Sequence, residues 1–138
     1  MYRENIPVLI VEDDKDRQEI LKNLFKKQAW ILIHTAERAV RLVQAFRFEL
    51  ISLDFDLAGP GDGADAAQAI ADSENRDACI LIHSMNVNGA ERIKQILPHA
   101  VWVPINQITQ TNDRFKRLRK EIGRVPDIDW AYVFSGNR

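Results

Sequence analysis

The sequence predicts an α/β domain, a doubly wound five-stranded parallel sheet with helices on both faces. Two patterns carry this prediction. Apolar runs of only four or five residues recur along the chain, mostly aliphatic or β-branched and with little alternation of polar residues. Strands covered on both faces read this way. Between the runs lie longer amphipathic stretches with helical spacing, so that strand and helix alternate five times. That order favours a parallel sheet, and right-handed crossovers leave few topologies to consider.

The elements follow in order. Residues 8–11 (VLIV) form the first strand, and Ile20, Leu21, Leu24 and Phe25 make the apolar stripe of the first helix. Residues 30–33 (WILI) precede a helix with Ala39, Val43 and Phe46 on one face. The third strand is 50–53 (LISL), followed by Ala66, Ala69 and Ile70. The fourth, 78–82 (ACILI), is followed by Ile93, Ile96 and Leu97. The fifth, 100–103 (AVWV), leads to a last helix with Phe115, Leu118 and Ile122 inside. These elements place one domain over residues 1–124. Residues 125–138 form an extension beginning at Pro126, in which Trp130, Tyr132 and Phe134 alternate with Ala131 and Val133. The alternation predicts a short extra strand or an extended arm, packed on the domain or held out for a partner.

Composition narrows the function classes. A chain of 138 residues is about one domain's worth. Nineteen basic and twenty acidic residues leave a net charge of −1, which excludes wholesale electrostatic binding to nucleic acid or membrane. The single cysteine, Cys79, excludes an internal disulfide and a cysteine-based zinc cluster; it reads as an inert small hydrophobe. No apolar run approaches the roughly 18 residues of a membrane span, and the first residues lead straight into a strand rather than a signal peptide. The expected location is cytoplasmic, with no membrane partner.

Ligands of open parallel sheets sit beyond the carboxyl ends of the strands. Strand one ends in Glu12, Asp13 and Asp14, strand three in Asp54, Phe55 and Asp56, and strand four in His83, Ser84, Met85 and Asn86. If strands one, three and four are neighbours, these tips converge at spacings of about 4.8 Å. Converging carboxylates call for a hard cation between them, and one or two carboxylates with retained waters suit Mg²⁺. Asp14 or Asp16 can equally cap the first helix.

With these residues the chain resembles the receiver domain of two-component response regulators over residues 6–122. The resemblance implies a flavodoxin- or CheY-like sheet of strand order 2-1-3-4-5. It implies that Glu12 and Asp13 arrange Mg²⁺, that Asp54 is the phosphoacceptor, that the backbone carbonyl of Asp56 is a metal ligand, and that Ser84 hydrogen-bonds the phosphoryl group. A histidine kinase or other signalling protein is the implied partner, and a homodimer is a candidate assembly. One part of the pattern is missing. No lysine occurs between Lys94 and Lys116, so Val103, preceding Pro104, stands where receivers carry a phosphate-pairing lysine.

The stretch from Asp54 through Asp56, followed by His83-Ser84-Met85-Asn86, also resembles a divergent receiver group proposed to process cyclic phosphates at RNA ends. That resemblance implies His83 as general acid or base and Asn86 as an orienter of a phosphate oxygen. The last helix, with Arg114, Lys116, Arg117, Arg119, Lys120 and Arg124, suits an RNA backbone under this reading, and otherwise presents a solvated face. The leading expectation is a stand-alone, atypical receiver accepting a phosphoryl group at Asp54 in signal transduction. The alternatives are a metal-dependent enzyme acting on cyclic phosphates with His83, Ser84, Asn86 and Asp54/Asp56, and a degenerate receiver serving as an interaction module.

Overall fold

A computed structural model describes residues 2–137. Its five strands are β1 (Pro7–Val11), β2 (Ala29–Ile33), β3 (Leu50–Leu53), β4 (Cys79–Ile82) and β5 (Val101–Trp102). They form one parallel sheet in the order β2-β1-β3-β4-β5, as predicted. The helices are α1 (Lys15–Leu24), α2 (Ala36–Ala45), α3 (Gly63–Ala71), α4 (Val87–Ile96), α5 (Ile105–Ile108), α6 (Asn112–Ile122) and α7 (Trp130–Ser135).

The two-residue period of a strand sorts the core into two layers. Leu9, Val11, Ile51, Leu53, Ile80 and Ile82 face one way and pack with residues of α2, α3 and α4. Val8, Ile10, Leu50 and Leu81 face the other way, against Leu21, Leu24, Phe25, Leu118 and Ile122 of the α1 and α6 side. Asp14, Thr35, Asp62, Asn86 and Thr111 cap α1, α2, α3, α4 and α6 through side-chain oxygens.

Three local expectations are corrected. β2 is an edge strand and not covered on both faces: Trp30 is 36% and Ile31 44% exposed. A short helix, α5, precedes the last long helix and buries Ile105 and Ile108. The extension is helical where a strand or arm is expected. Five residues of alternating sequence also satisfy a helical period, because Trp130, Val133 and Phe134 lie three and four apart. Asp129 resolves the ambiguity by accepting from Tyr132 N at the N-cap. Val133 is fully buried, and Arg114 and Arg117 of α6 donate to the carbonyls of Phe134 and Val133. α7 thus packs on α6. Burial also raises the Cys79 thiol to about 11, far from a reactive thiolate.

Candidate functional site

Parity and register together build the site. Glu12 continues the side-chain face of Val8 and Ile10, Asp54 that of Leu50 and Ser52, and His83 that of Leu81. Val11 pairs with Leu53 and Leu53 with Ile82, so the next residue of each strand reaches the same level. The ladder carries on into them: Asp54 N donates to Val11 O, and His83 N to Leu53 O. One ligand atom from each of Glu12, Asp54 and His83 lies within 4.8 Å of the others. All three residues are buried.

Glu12 is the most heavily engaged of these groups. Its Oε2 accepts from Asp14 N at 3.0 Å, and its Oε1 lies 3.1 Å from Arg17 Nε and 3.0 Å from His83 Nε2. Burial alone would raise this carboxyl, but the hydrogen bond and charge of His83, with Asp14 N–H and Arg17, hold it below the usual carboxylate range. His83 has no exposed surface, and its Nδ1 is 2.8 Å from Ser52 Oγ. The sequence resemblance implies His83 as an acid–base group at the reacting phosphate. In the structure the ring is buried, with one nitrogen at hydrogen-bond distance from Ser52 Oγ and the other from Glu12 Oε1.

Asp54 is 4% exposed and is more sparsely compensated. Its Oδ1 accepts from Phe55 N at 2.8 Å, while its Oδ2 faces the Arg17 guanidinium at 3.8 Å. Burial raises the Asp54 carboxyl above its ordinary value and the Glu12 charge adds to this; His83, then a hydrogen bond with Ser84 and the Phe55 N–H, only partly offset it. Asp13, half-buried beside Glu12, is likewise raised, by burial first and then by the Glu12 charge.

Across the site, the Asn86 Nδ2 donates to Asp56 Oδ2 at 3.2 Å, and the Ser84 Oγ accepts from Asn86 N. Trp102 Nε1 donates to Ser84 O and fixes the strand-four end. At the position of the missing lysine, Val103 is fully buried and Ile105 nearly so, so β5 brings no cation there. The carboxylates of Glu12 and Asp54, brought together with His83, are the oxygen donors a hard divalent cation takes. Both Glu12 oxygens already accept from N–H groups, so Glu12 is the less available of the two.

Two residues outside the sequence reading complete the arrangement, Arg17 and Ser52. Arg17 lies in the first turn of α1 with its N–H on the Asp14 cap, and its side chain turns back over the carboxylates. Two glycines hold Phe55 and the loop after β3 in place. A Cβ at Gly63 would overlap the carbonyl of Asp54, and one at Gly89 would overlap the Phe55 ring. Gly63→Ala is expected to destabilise the protein by about 3 kcal/mol, the upper end of ordinary overpacking, because the obstructing atom is backbone. Urea unfolding, with the slope unchanged, checks this.

Comparison with known proteins bears on the same residues. The profile of the cyclic-phosphate processing receiver domain matches residues 8–99, which span β1 through α4 and every site residue above. No curated protein sequence matches the chain. Similar solved structures include the receiver domain of a sensor histidine kinase from Pseudomonas aeruginosa PAO1, with a magnesium ion coordinated in its active-site cleft. It is 23% identical with a TM-score of 0.62, over 72% of this chain and 84% of that one. The response regulator TrrA from Thermotoga maritima, in complex with Mg²⁺ and BeF, is 18% identical with a TM-score of 0.62, over 82% and 98%. A sensor protein from Polaromonas sp. JS666 is 25% identical with a TM-score of 0.61, over 72% and 82%. No described helix is long and apolar enough to cross a membrane.

Proposed function

The chain belongs to the cyclic-phosphate processing receiver domains, and from that premise we propose that it opens cyclic phosphates hydrolytically at the Asp54 site with the help of Mg²⁺. The observation that carries the reading is the set of groups around Asp54. Arg17 of α1 offers a guanidinium to Asp54, and Ser84 and Asn86 of the loop between β4 and α4 offer a hydroxyl and an amide beside Asp54 and Asp56, while the residue after β5 is buried Val103 where a phosphoryl-transfer receiver holds a lysine.

In this mechanism the phosphate diester seats over the Ser84 hydroxyl and the Asn86 amide, with Arg17 against a non-bridging oxygen. Asp54, whose carboxylate burial makes more basic than an ordinary aspartate, takes a proton from the attacking water. The water oxygen bonds phosphorus, the bond from phosphorus to one ribose oxygen breaks, and that oxygen is protonated from solvent. The product is a phosphomonoester. Asp13 and Asp54, with the Asp56 carbonyl, would hold Mg²⁺, which neutralises charge on the phosphoryl oxygens when bound. Glu12 and His83 are positioning residues: His83 fixes Glu12, and Glu12 fixes Arg17.

The fold neighbours favour a second reading, phosphoryl acceptance at Asp54 from a histidine kinase or other signalling protein. The TrrA complex with Mg²⁺ and BeF shows that a receiver of this fold accommodates such a group. One experiment separates the two. The protein is incubated with Mg²⁺ and 2′,3′-cyclic AMP, and separately with acetyl phosphate, and both reactions are followed by mass spectrometry. Monoester formation without an adduct on the protein supports the proposal. A single phosphoryl adduct on Asp54, with the cyclic nucleotide untouched, overturns it.

Arg17 provides a further check on the mechanism. Arg17→Ala is expected to lower kcat/KM for a cyclic nucleotide by about 10²-fold, through loss of one charge-assisted contact to the phosphate. Arg17→Lys should recover only part of this, since lysine cannot reach both Glu12 and the phosphate with fixed geometry. Steady-state kinetics of the two variants measure it.

A further inference from the structure

The β2 edge of the sheet is unprotected. Edge strands ordinarily carry a lysine, a proline, a bulge or an inward-pointing charge that stops another strand from adding to them. β2 reads Ala29, Trp30, Ile31, Leu32 and Ile33, and its register with β1 runs unbroken. The ladder shows which backbone groups are left over. Ala29 N donates to Ile6 O and Ile33 O accepts from Glu12 N, so residues 29, 31 and 33 turn their backbone groups towards β1. By the alternation of a strand, the N–H and C=O groups of Trp30 and Leu32 point off the sheet.

Both faces of this edge are apolar. Trp30, with Lys22 of α1 over its ring, and Leu32 lie on the α1 side, and Ile31 and Ile33 lie on the α2 side. Trp30 and Ile31 are exposed. Between β2 and α2 opens a groove of about 470 Å³, lined by Ile31, Ile33 and Leu42 with Glu37, Arg38 and Arg41.

We propose that the chain forms a two-fold dimer in which two β2 strands pair antiparallel, with Ile31 on the axis. Two five-stranded sheets thereby become one continuous sheet. With Ile31 opposite itself, Trp30 of each copy stands opposite Leu32 of the other. Each such pair exchanges both of its N–H···O bonds, which engages every outward backbone group of Trp30 and Leu32. The axis turns the two Asp54 sites to opposite ends of the joined sheet.

A second copy fits this edge better than a peptide from elsewhere. The occupant needs apolar residues at successive positions, because both faces are apolar, and β2 is itself such a strand. The rims are self-complementary in charge. Glu37 accompanies Arg38 and Arg41 on one face and Glu19 accompanies Lys22 on the other, so each copy offers both signs to its partner. β5 cannot take the place of β2 in the pairing, since it has two residues and Pro104 follows shortly after. Pairing β2 with β2 also closes the assembly, leaving the two short β5 edges outside.

Sedimentation velocity of the full chain, in a series from about 1 to about 200 µM, tests this. A species of twice the 15.9 kDa chain mass should grow with concentration. Ile31→Lys sets lysine against lysine on the axis and should weaken the dimer at least about 100-fold. Ile31→Glu should do the same by setting glutamate against glutamate. Mixed in equal amounts, the two variants should recover a dimer, because lysine then faces glutamate. Hydrogen exchange followed by NMR reads the wild type alone: the Trp30 and Leu32 amides should slow as concentration rises, while that of Ile31, bonded within the sheet, stays slow throughout. A monomer at every concentration overturns the proposal and leaves the edge to an extended peptide of another protein. A dimer indifferent to Ile31→Lys overturns it too, as do folded variants that fail to recover on mixing. So does exchange at Trp30 and Leu32 that ignores concentration.

Discussion

Asp54→Asn is expected to lower the opening of 2′,3′-cyclic AMP by about 10²–10⁴-fold, the contribution of a positioned general base, and at the same time to raise the melting temperature of the metal-free protein. The two effects have one origin. Burial raises the Asp54 carboxyl, so its ionised form is held at a cost in the folded state. A group whose folded pKa lies above its unfolded value contributes stability while protonated and loses it as pH rises through the folded pKa. The stabilisation by asparagine should therefore be full at neutral pH and shrink as the pH falls to the ordinary aspartate range. The variant should also lose any thermal stabilisation by Mg²⁺, since a ligand-binding group has gone. Calorimetric scans from pH 4 to 8, with and without Mg²⁺, check both parts. A variant with wild-type turnover would remove Asp54 from the chemistry.

The second large effect is structural. His83→Ala should cost about 3 kcal/mol or more in urea unfolding, because it removes a hydrogen-bond partner from a buried carboxylate and leaves a cavity where the ring packed. It leaves Glu12 without one of its donors and Ser52 Oγ without its ring nitrogen. Glu12→Gln should be destabilising too, and the double variant should lose less than the two single losses combined, because the side chains share one network. The pH dependence has the opposite sign to that of Asp54. Glu12 is held below its ordinary value, so its contribution is present above the unfolded carboxylate pKa and is lost as pH falls through the folded one. Strict additivity in the double-variant cycle would show that the observed geometry carries no coupling.

Much of this was legible in the sequence because strand periodicity is rigid. Once residues 8–11, 50–53 and 78–82 are read as strands, the acids and the histidine at their ends fall at one edge of the sheet. What remained hidden depends on depth and side-chain reach. His83 at a strand end reads as a surface residue, and only register with Ser52 and Glu12 places it under the surface. Arg17 follows Lys15 and Asp16 on a polar helix turn and looks like solvated surface, yet its side chain folds back over two acids. β2 has the same aliphatic composition as the central strands, because composition does not say which strand ends the sheet. In α7 the aromatic residues fit either period, and a single capping aspartate decides.

The clasp around Phe55 also shapes which sequences this site can explore. Gly63 and Gly89 have ordinary backbone angles, so by conformation alone either could become alanine or serine; the crowding by Asp54 and Phe55 forbids it. Gly59 is the reverse case, with φ of +77° and nothing within 4 Å of a Cβ, so asparagine, which tolerates that region, can enter there. A saturation library should then show two glycine-only positions, Gly63 and Gly89, and at Gly59 a position that admits asparagine beside glycine. Divergence of the site is thereby channelled to Gly59 and Pro60, since Leu57 packs on the core, Ala58 bridges to Thr35, and Gly61 is held by a φ of +86° between Asp65 and Ala36.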